Sequence, residues 1–388
     1  MITLLAVPVA CGVLQALVAS RLVARFTRMP PLQPAEHPPV TVLKPLHGDE
    51  PLLEDALATL CRQRYPVWQI VFGVQRADDP AVTVVERLRA RFPDVDMTLV
   101  VNPARHGANG KVSNLINMFA AVQHDILVIA DSDVHAEPEW LERLVAGLAV
   151  PGVGLVTTLY TGLPAEGALP ARLGATQITH GFLPGAVLAR ALGRSDCLGA
   201  TMCLRRQDLL RIGGFHALVD HLADDQVLGR RVSALGLGVA LASSIVQTTV
   251  PEANLRALFQ HELRWARTVR TLEPLGYAAS ILQYPLAWAL LAVLLSGGAA
   301  WAVGMFLLAW VLRAAAAWGV DRALARRVPL AFACPVWLLP FRDILSVAVM
   351  MASYGGRRVL WRGHGLEADT PGRFRVPVRH PLEESNAR

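Results

Sequence analysis

The sequence predicts an α/β fold, a mostly parallel sheet wrapped by helices, carried between apolar membrane segments at both ends. Short β-branched runs alternate with amphipathic ones between Val40 and Tyr160. The residues from Met1 to Ala19, and most of those from Ala278 to Tyr354, are apolar. Two carboxylates, Asp131 and Asp133, stand at the end of the buried-type run "DILVIA".

The strands are read first. "VTVLKPL", "WQIVFGVQ", "MTLVV", "DILVIAD" and "VGLVTTLY" are short, rich in valine, isoleucine and leucine, and bounded by turn residues. Between them lie "PLLEDALATLCRQR", "PAVTVVERLRARF", "KVSNLINMFAAVQ" and "PEWLERLVAGLA", which carry helical spacing. Such a βαβ series folds as a parallel sheet, and ligands bind beyond the carboxyl ends of its strands. Asp131 and Asp133 sit at such an end, as do Asp78 and Asp79 after "VFGVQRA". Together they are expected to form one anionic mouth.

The membrane segments follow. In the first, Arg21, Arg25 and Arg28 come after the apolar run and nothing basic precedes it. That order predicts an uncleaved anchor (1–26) with the following domain in the cytoplasm, rather than a signal peptide. A proline-rich linker (27–39) joins it to the domain at 40–277. Ala278 to Val320, interrupted by "SGG" at Ser296–Gly298, reads as a helical hairpin. A last apolar stretch contains Arg342 and Asp343, a charge pair expensive at membrane depth. The C-terminal membrane segments are placed at 278–354 and a basic tail at 355–388. The expected location is the inner, cytoplasmic membrane, crossed several times, with the catalytic domain on the cytoplasmic side.

Composition agrees with this organisation. Of 388 residues 53% are hydrophobic, more than an ordinary soluble domain carries. The net charge of +6 follows apolar segments, which points to a membrane surface or anionic ligands. Without a basic stripe interleaved with aromatics, nucleic acid is not an expected partner. Five cysteines with no paired metal spacing read as reduced, mostly buried thiols.

The acids carry the chemistry. Residues i and i+2 of an extended segment face the same way, so Asp131 and Asp133 are expected to hold one cation together. Hard oxygen ligands suit Mg²⁺ or Mn²⁺, which also binds a substrate diphosphate. The bland alternative is a turn or helix cap. Neither a Gly-rich phosphate loop nor a dinucleotide fingerprint appears, which argues against a P-loop ATPase or a nicotinamide dehydrogenase. "NGKVSN" sets Lys111 just before a helix, within reach of a phosphate or simply solvated. "LADDQ" puts Asp224 and Asp225 side by side, where like charge raises a pKa toward that of a general base, or merely begins a helix. "QHELRW" offers Arg264 for a diphosphate and Trp265 for stacking, or an interfacial anchor.

Seven stretches, "VLKPLHG", "VQRADDPA", "GKVSNL", "IADSD", "GATMCLRRQDLL", "ADDQ" and "HELRW", run in order from residue 42 to 265. They resemble the ceramide glucosyltransferase family, glycosyltransferase family 21, whose pattern is three aspartates followed by Gln/Arg-x-x-Arg-Trp. Among bacterial relatives the chain is most similar to hopanoid-biosynthesis-associated glycosyltransferases. The resemblance implies a GT-A fold, a UDP-sugar donor (UDP-GlcNAc or UDP-glucose), a membrane lipid acceptor and an inverting transfer to a lipid hydroxyl. A hopanoid polyol is the first expected acceptor and ceramide the alternative. By the same resemblance Asp79 meets the nucleotide, Asp131 and Asp133 form the metal–diphosphate motif, and Asp225 is the catalytic base. Lys111 and Arg264 are assigned to the donor. His261, standing where the family has Gln or Arg, is assigned with Trp265 to the acceptor or the diphosphate. Two rival functions are a processive polysaccharide synthase, which needs a longer membrane channel, and an inactive membrane scaffold, against which the three aspartates count.

Overall fold

The structure is a computed structural model that describes residues 2–329, 333–356, 358–361, 364–370 and 373–375. Its elements follow in chain order. The helix α1 (Ala6–Arg28) leads into an extended segment. Then come β1 (Val40–Pro45), α2 (Leu53–Cys61), β2 (Trp68–Val74), α3 (Pro80–Arg91), β3 (Asp96–Val101), α4 (Gly110–Met118) and β4 (Ile126–Ala130). Next are β5 (Val134–His135), α5 (Trp140–Leu148), β6 (Val153–Pro164), α6 (Leu169–Gln177), α7 (Leu183–Ala191), β7 (Thr201–Arg205) and α8 (Arg206–Arg211). The sheet domain closes with α9 (Asp224–Ala234), β8 (Gly238–Val250) and α10 (Leu255–Leu272). The helices α11 (Pro274–Ala279), α12 (Pro285–Leu295), α13 (Ala300–Leu324) and α14 (Leu339–Tyr354) come last, before the short strands β9 (Arg358–Trp361), β10 (His364–Thr370) and β11 (Arg373–Arg375).

The eight strands β1 to β8 form one sheet in the order β3-β2-β1-β4-β7-β6-β8-β5. The β3-β2-β1-β4 half is parallel throughout, and β7 pairs antiparallel with both β4 and β6. Apolar side chains cover both faces. Val42, Ile70, Phe72 and Val128 pack on one side with Trp140 and Leu144, while Leu43, Val71, Leu127 and Ile129 pack on the other with Leu115 and Leu228. Because a strand turns successive residues to opposite faces, a sheet covered on both sides demands an unbroken apolar run. That is why "ILVIA" is buried without alternation. From β1 the chain winds outward through β2 to β3, then returns to the other side of β1 to form β4. The strand order therefore switches between β1 and β4, where a crevice opens at the carboxyl ends.

All five predicted strands, four in the parallel half and the fifth as β6, and all four predicted helices are present. The single anionic mouth is corrected. The strands β2 and β4 are not neighbours, since β1 lies between them. Asp78 points outward to Arg76, whose Nε donates to it at 2.8 Å. All five cysteines are free thiols, and only Cys11 is exposed.

Among the described residues three helices are long and apolar enough to cross a membrane: Ala6–Arg28, Ala300–Leu324 and Val336–Tyr354. The first limb of the expected hairpin is broken. Pro274–Gln283 and Pro285–Leu295 meet at 65°, and together they make a fourth candidate span or a re-entrant segment. Proline at the second helix's first position removes a backbone donor and forces the interruption. The helix α1 packs along α13, α12 and α7, so an excursion between β6 and β7 joins the sheet domain to the membrane bundle. The expected pair of Arg342 with Asp343 is also corrected. Arg342 grips Glu262 of α10 with two hydrogen bonds of 2.8 and 2.6 Å, and Asp343 accepts from the backbone N–H of Leu286 at 3.1 Å. Of the basic tail, Arg358 begins the small antiparallel sheet β11-β10-β9, while Arg357 and Arg362 lie outside the described residues.

Candidate active site

The crevice between β1 and β4 collects the charges. Lys44, next to last in β1, is fully buried, and its ammonium donates to the backbone carbonyl of Asp131. Asp131 follows the last residue of β4. Here the expected extended geometry is corrected: Asp131 to Val134 form a turn, closed by the Val134 N–H donating to the Asp131 carbonyl at 3.2 Å. The two carboxylates therefore converge through a turn rather than along a strand. Across the crevice Asn109 caps α4, its side-chain oxygen accepting from the Val112 N–H at 3.1 Å. That cap fixes Lys111 in the first helical turn. The Lys111 Nζ lies 2.6 Å from Asp131 Oδ1 and 3.4 Å from Asp224 Oδ2. A lysine thus joins the end of β4 to the start of α9, where Asp224 and Asp225 begin the helix.

These contacts set the ionisation. Burial, and then the neighbouring Asp224, push the Asp225 carboxyl up to about 7, against the pull of Lys111. Burial and Asp131 push Asp133 up to about 7, opposed by Lys44. Burial lowers Lys44 to about 8 although Asp133 and Asp131 hold its charge. For Lys111, burial works against the charge but Asp131 and Asp224 outweigh it, so this lysine stays protonated. The site therefore holds two carboxyls that exchange protons near neutrality beside a fixed positive charge.

Two further residues complete the centre, and neither was singled out from sequence. Burial, and then the charges of Asp225, Asp131 and Asp133, raise the hydroxyl pKa of Tyr160, in the second half of β6. Gly199 approaches Asp225 so closely that a β-carbon there would sit 2.8 Å from its carboxylate oxygen. The signal for Gly199 was present in "GATMCLRRQDLL", but only the approach of α9 shows what the glycine accommodates.

The remaining sequence candidates surround this core. Asp79 caps α3, accepting from the Ala81 N–H at 3.0 Å, and it also accepts from the Gly48 N–H at 2.9 Å. It thereby holds the loop after β1 at the rim of the crevice. On α10, Trp265 turns inward against Ala171, Ala175, Ile178 and Val250, in the same apolar cluster as Tyr160. His261 packs edge-on against Trp265 at 4.6 Å, and its Nδ1 is paired with Glu252. Arg264 is half-buried on the same helix. So the structure pairs Lys111 directly with Asp131 and Asp224, sets Asp133 and Asp225 within electrostatic reach of Asp131, places Trp265 and its neighbour His261 beside the apolar cluster that holds Tyr160, and leaves Asp79 at the rim.

Donor chemistry tests whether Asp131 and Asp133 fit a divalent cation. Among the described residues no group of three His, Cys, Asp or Glu side chains is arranged to hold a metal. Two carboxylates on one turn instead match a magnesium-class site, whose shell is completed by water and substrate phosphates. Burial, and then the charge of Asp131, disfavour ionisation of Asp133, and a cation between the two carboxylates offsets that repulsion. The pair fits Mg²⁺ or Mn²⁺ on these grounds.

Comparison with known proteins gives the family of the chain. The sequence description of glycosyl transferase family 21 matches residues 4–374. The chain belongs to glycosyl transferase family 21. Among curated relatives, it is 35% identical over 113 residues to a ceramide glucosyltransferase of Komagataella phaffii, covering 28% of this chain and 22% of that protein. It is 20% identical over 349 residues to ceramide glucosyltransferase 1 of Caenorhabditis elegans, covering 87% of this chain and 73% of that protein. The chain thus spans about a fifth of the length of the first relative and about three-quarters of the second. The solved structure of the mannosyltransferase PcManGT from Pyrobaculum calidifontis, in complex with GDP-Man and Mn²⁺, superposes with a TM-score of 0.54 at 21% identity. The superposition covers 91% of this chain and 99% of that one, and it shows a shared GT-A fold. In this family 21 chain, the apolar flanking helices contact the sheet domain through α1 against α7 and α14 against α10.

Proposed function

We propose that the chain moves a sugar from a UDP-sugar to a hydroxyl of a membrane lipid in one inverting displacement. The observation that carries this reading is the Lys111 bridge from Asp131 to Asp224, which sets the half-buried Asp225, its carboxyl raised to about 7, at the same crevice. Asp225 accepts the proton of the lipid hydroxyl as that oxygen attacks the anomeric carbon. The bond from that carbon to the diphosphate oxygen breaks, and UDP departs with the electron pair. Lys111 and Arg264 are the cationic side chains assigned to the diphosphate, and Asp79 holds the loop that borders the nucleotide. Asp131 and Asp133 would hold Mg²⁺ or Mn²⁺, which when bound neutralises charge on the leaving diphosphate. Trp265 and His261 line the side from which the acceptor arrives.

UDP-GlcNAc and UDP-glucose are the proposed donors. The proposed acceptor is a hopanoid polyol, supported by the resemblance of the sequence to hopanoid-associated enzymes. Ceramide is the second reading, favoured by relatives that are ceramide glucosyltransferases. The proposed setting is the cytoplasmic membrane, with the sheet domain on the side where UDP-sugars are made. Purified enzyme in mixed micelles is given each donor with each lipid, and UDP and lipid products are measured. Lipid-dependent UDP release supports the transferase reading. No UDP release from any pairing would sink it, and product from ceramide but not from the polyol would reverse the acceptor assignment alone.

A further inference from the structure

A cleft opens among the membrane helices, outside the crevice described above. It lies between α1, the turn joining α6 to α7, α13 and α14. Its polar lining includes Gln15, Gln177, His180, Arg313, Arg342 and Asp343. Polar groups at this depth are expensive, so such a convergence marks a binding or transport function.

The charges in the cleft balance. Arg342 is matched by Glu262, and His180 Nε2 meets Asp321 at 2.6 Å. Arg313 and Asp343 both line the cleft, one charge of each sign. What the cleft retains is hydrogen-bonding capacity. Arg313 is 9% exposed and donates through Nη2 to the His180 carbonyl at 3.0 Å, yet its Nε is buried without a partner. The His180 side chain is 1% exposed, and its Nδ1 is likewise unpartnered. A site with balanced charge and spare donors suits a neutral hydroxyl or amide. A phosphate would demand unmatched positive charge.

The cleft also leads to the reaction centre. Ile178–Phe182 is a single π-helical turn between α6 and α7, a distortion that recurs at functional sites. His180 and Gly181 of that turn face the cleft. Phe182 stacks on Tyr160 with ring centres 4.6 Å apart, and Tyr160 feels Asp225, Asp131 and Asp133. Ile178 packs in the cluster that holds Trp265. One turn of helix is therefore the common wall of both sites. On α7, Gly185 lines the cleft, and a β-carbon added there would meet nothing within 4 Å.

We propose that this cleft is the seat of the acceptor lipid, and this rests on the transferase reading above. The neutral, hydroxyl- or amide-bearing head of a lipid is held by His180, Arg313 and Gln177, with its reacting hydroxyl passed along Tyr160 to Asp225. Lipids with a phosphate head are excluded by the balanced charge.

Full-length enzyme in phosphatidylcholine nanodiscs is irradiated with photoactivatable analogues of ceramide and of a hopanoid polyol, then digested and mapped. Labelling is expected in peptides from residues 169–191 and 300–324, competed by the unlabelled neutral lipid and not by phosphatidic acid. Gly185→Leu fills the open space and is expected to cut labelling and raise the acceptor KM by about tenfold or more, the loss of roughly 1.4 kcal/mol of binding. Gly304→Leu, at an exposed position of α13, is expected to change neither. Retained UDP binding reports that Gly185→Leu is folded. Labelling elsewhere, equal competition by phosphatidic acid, or an unchanged KM in Gly185→Leu overturns the proposal. Absence of UDP release from every donor would overturn the transferase reading instead, while the labelling pattern still judges the cleft.

Discussion

Folding leaves Asp225 half-buried beside Asp224, and desolvation followed by that neighbouring charge pushes its carboxyl up to about 7. As the proposed base it works only when ionised. The logarithm of kcat/KM is therefore expected to rise with unit slope below about pH 7 and level off above it, measured with a neutral lipid acceptor. Asp225→Asn should lower transfer by about 10²–10⁴-fold while UDP binding stays near wild type, and more than about a tenth of the wild-type rate would contradict the role. The same shift has a consequence for stability. A carboxyl that binds its proton more tightly folded than unfolded makes the native state less stable as pH rises from the ordinary carboxylate range to about 7. The penalty is then fully present above that pH. Asp225→Asn removes it, so the variant should unfold at a higher temperature than wild type at pH 8, with the difference vanishing toward pH 4. Gly199 is tied to the same group. The β-carbon of Gly199→Ala would stand 2.8 Å from the Asp225 carboxylate and must displace it. Misplacement by about 1 Å costs on the order of 10²-fold in rate, so kcat should fall steeply in a folded protein with normal UDP binding.

At the level of elements, the end of β4 and the joint between α10 and α14 decide most. The turn after β4 presents Asp131 and Asp133 as hard oxygen donors. Chelation should abolish turnover, and Mg²⁺ or Mn²⁺ should restore it. Asp131→Ala should weaken UDP binding in the presence of metal, read by calorimetry, and full activity in excess chelator would exclude the metal assignment. The α10–α14 joint is the buried pair of Arg342 with Glu262. Its two partners are 2% and 8% exposed, so removing one leaves the other as an uncompensated buried charge. Glu262→Gln should destabilise the protein by about 3–5 kcal/mol, whereas replacing both residues by methionine should recover most of that loss in denaturant unfolding. A single variant as stable as wild type would show that the pair does not join the helices energetically.

For the whole molecule, the question is how the sheet domain is joined to helices apolar enough to cross a membrane. Contacts of α1 with α7, and of α10 with α14, hold the carboxyl-end crevice and the helical bundle as one body. In the proposed topology, the arginines at 21, 25 and 28 keep the sheet domain on the cytoplasmic side. Protease added to right-side-out spheroplasts should leave residues 40–275 intact, and the same protease should digest them in inverted vesicles. The reverse pattern would separate the enzyme from its proposed UDP-sugar supply.

The sequence by itself determined the elements of the parallel half, the apolar spans and the order of the acidic motifs. Those properties are local: strand and helix periods, span length and residue spacing are written along the chain. The tertiary structure decided which charges meet. The adjacency of Asp224 with Asp225 was legible, but Lys111 as their bridge to Asp131 follows from α4 and α9 being packed across the crevice. Asp78 and Asp131 stood equally at strand ends in the sequence, and only strand order, with β1 between β2 and β4, separates them. Arg342 sits beside Asp343 in sequence, yet it pairs with Glu262, eighty positions away, because successive helical residues point about 100° apart. The cleft of His180 and Arg313 left no trace in the pattern, since its residues come from helices that meet only after folding. Long-range pairing depends on the packing of several elements at once, and no local period encodes it.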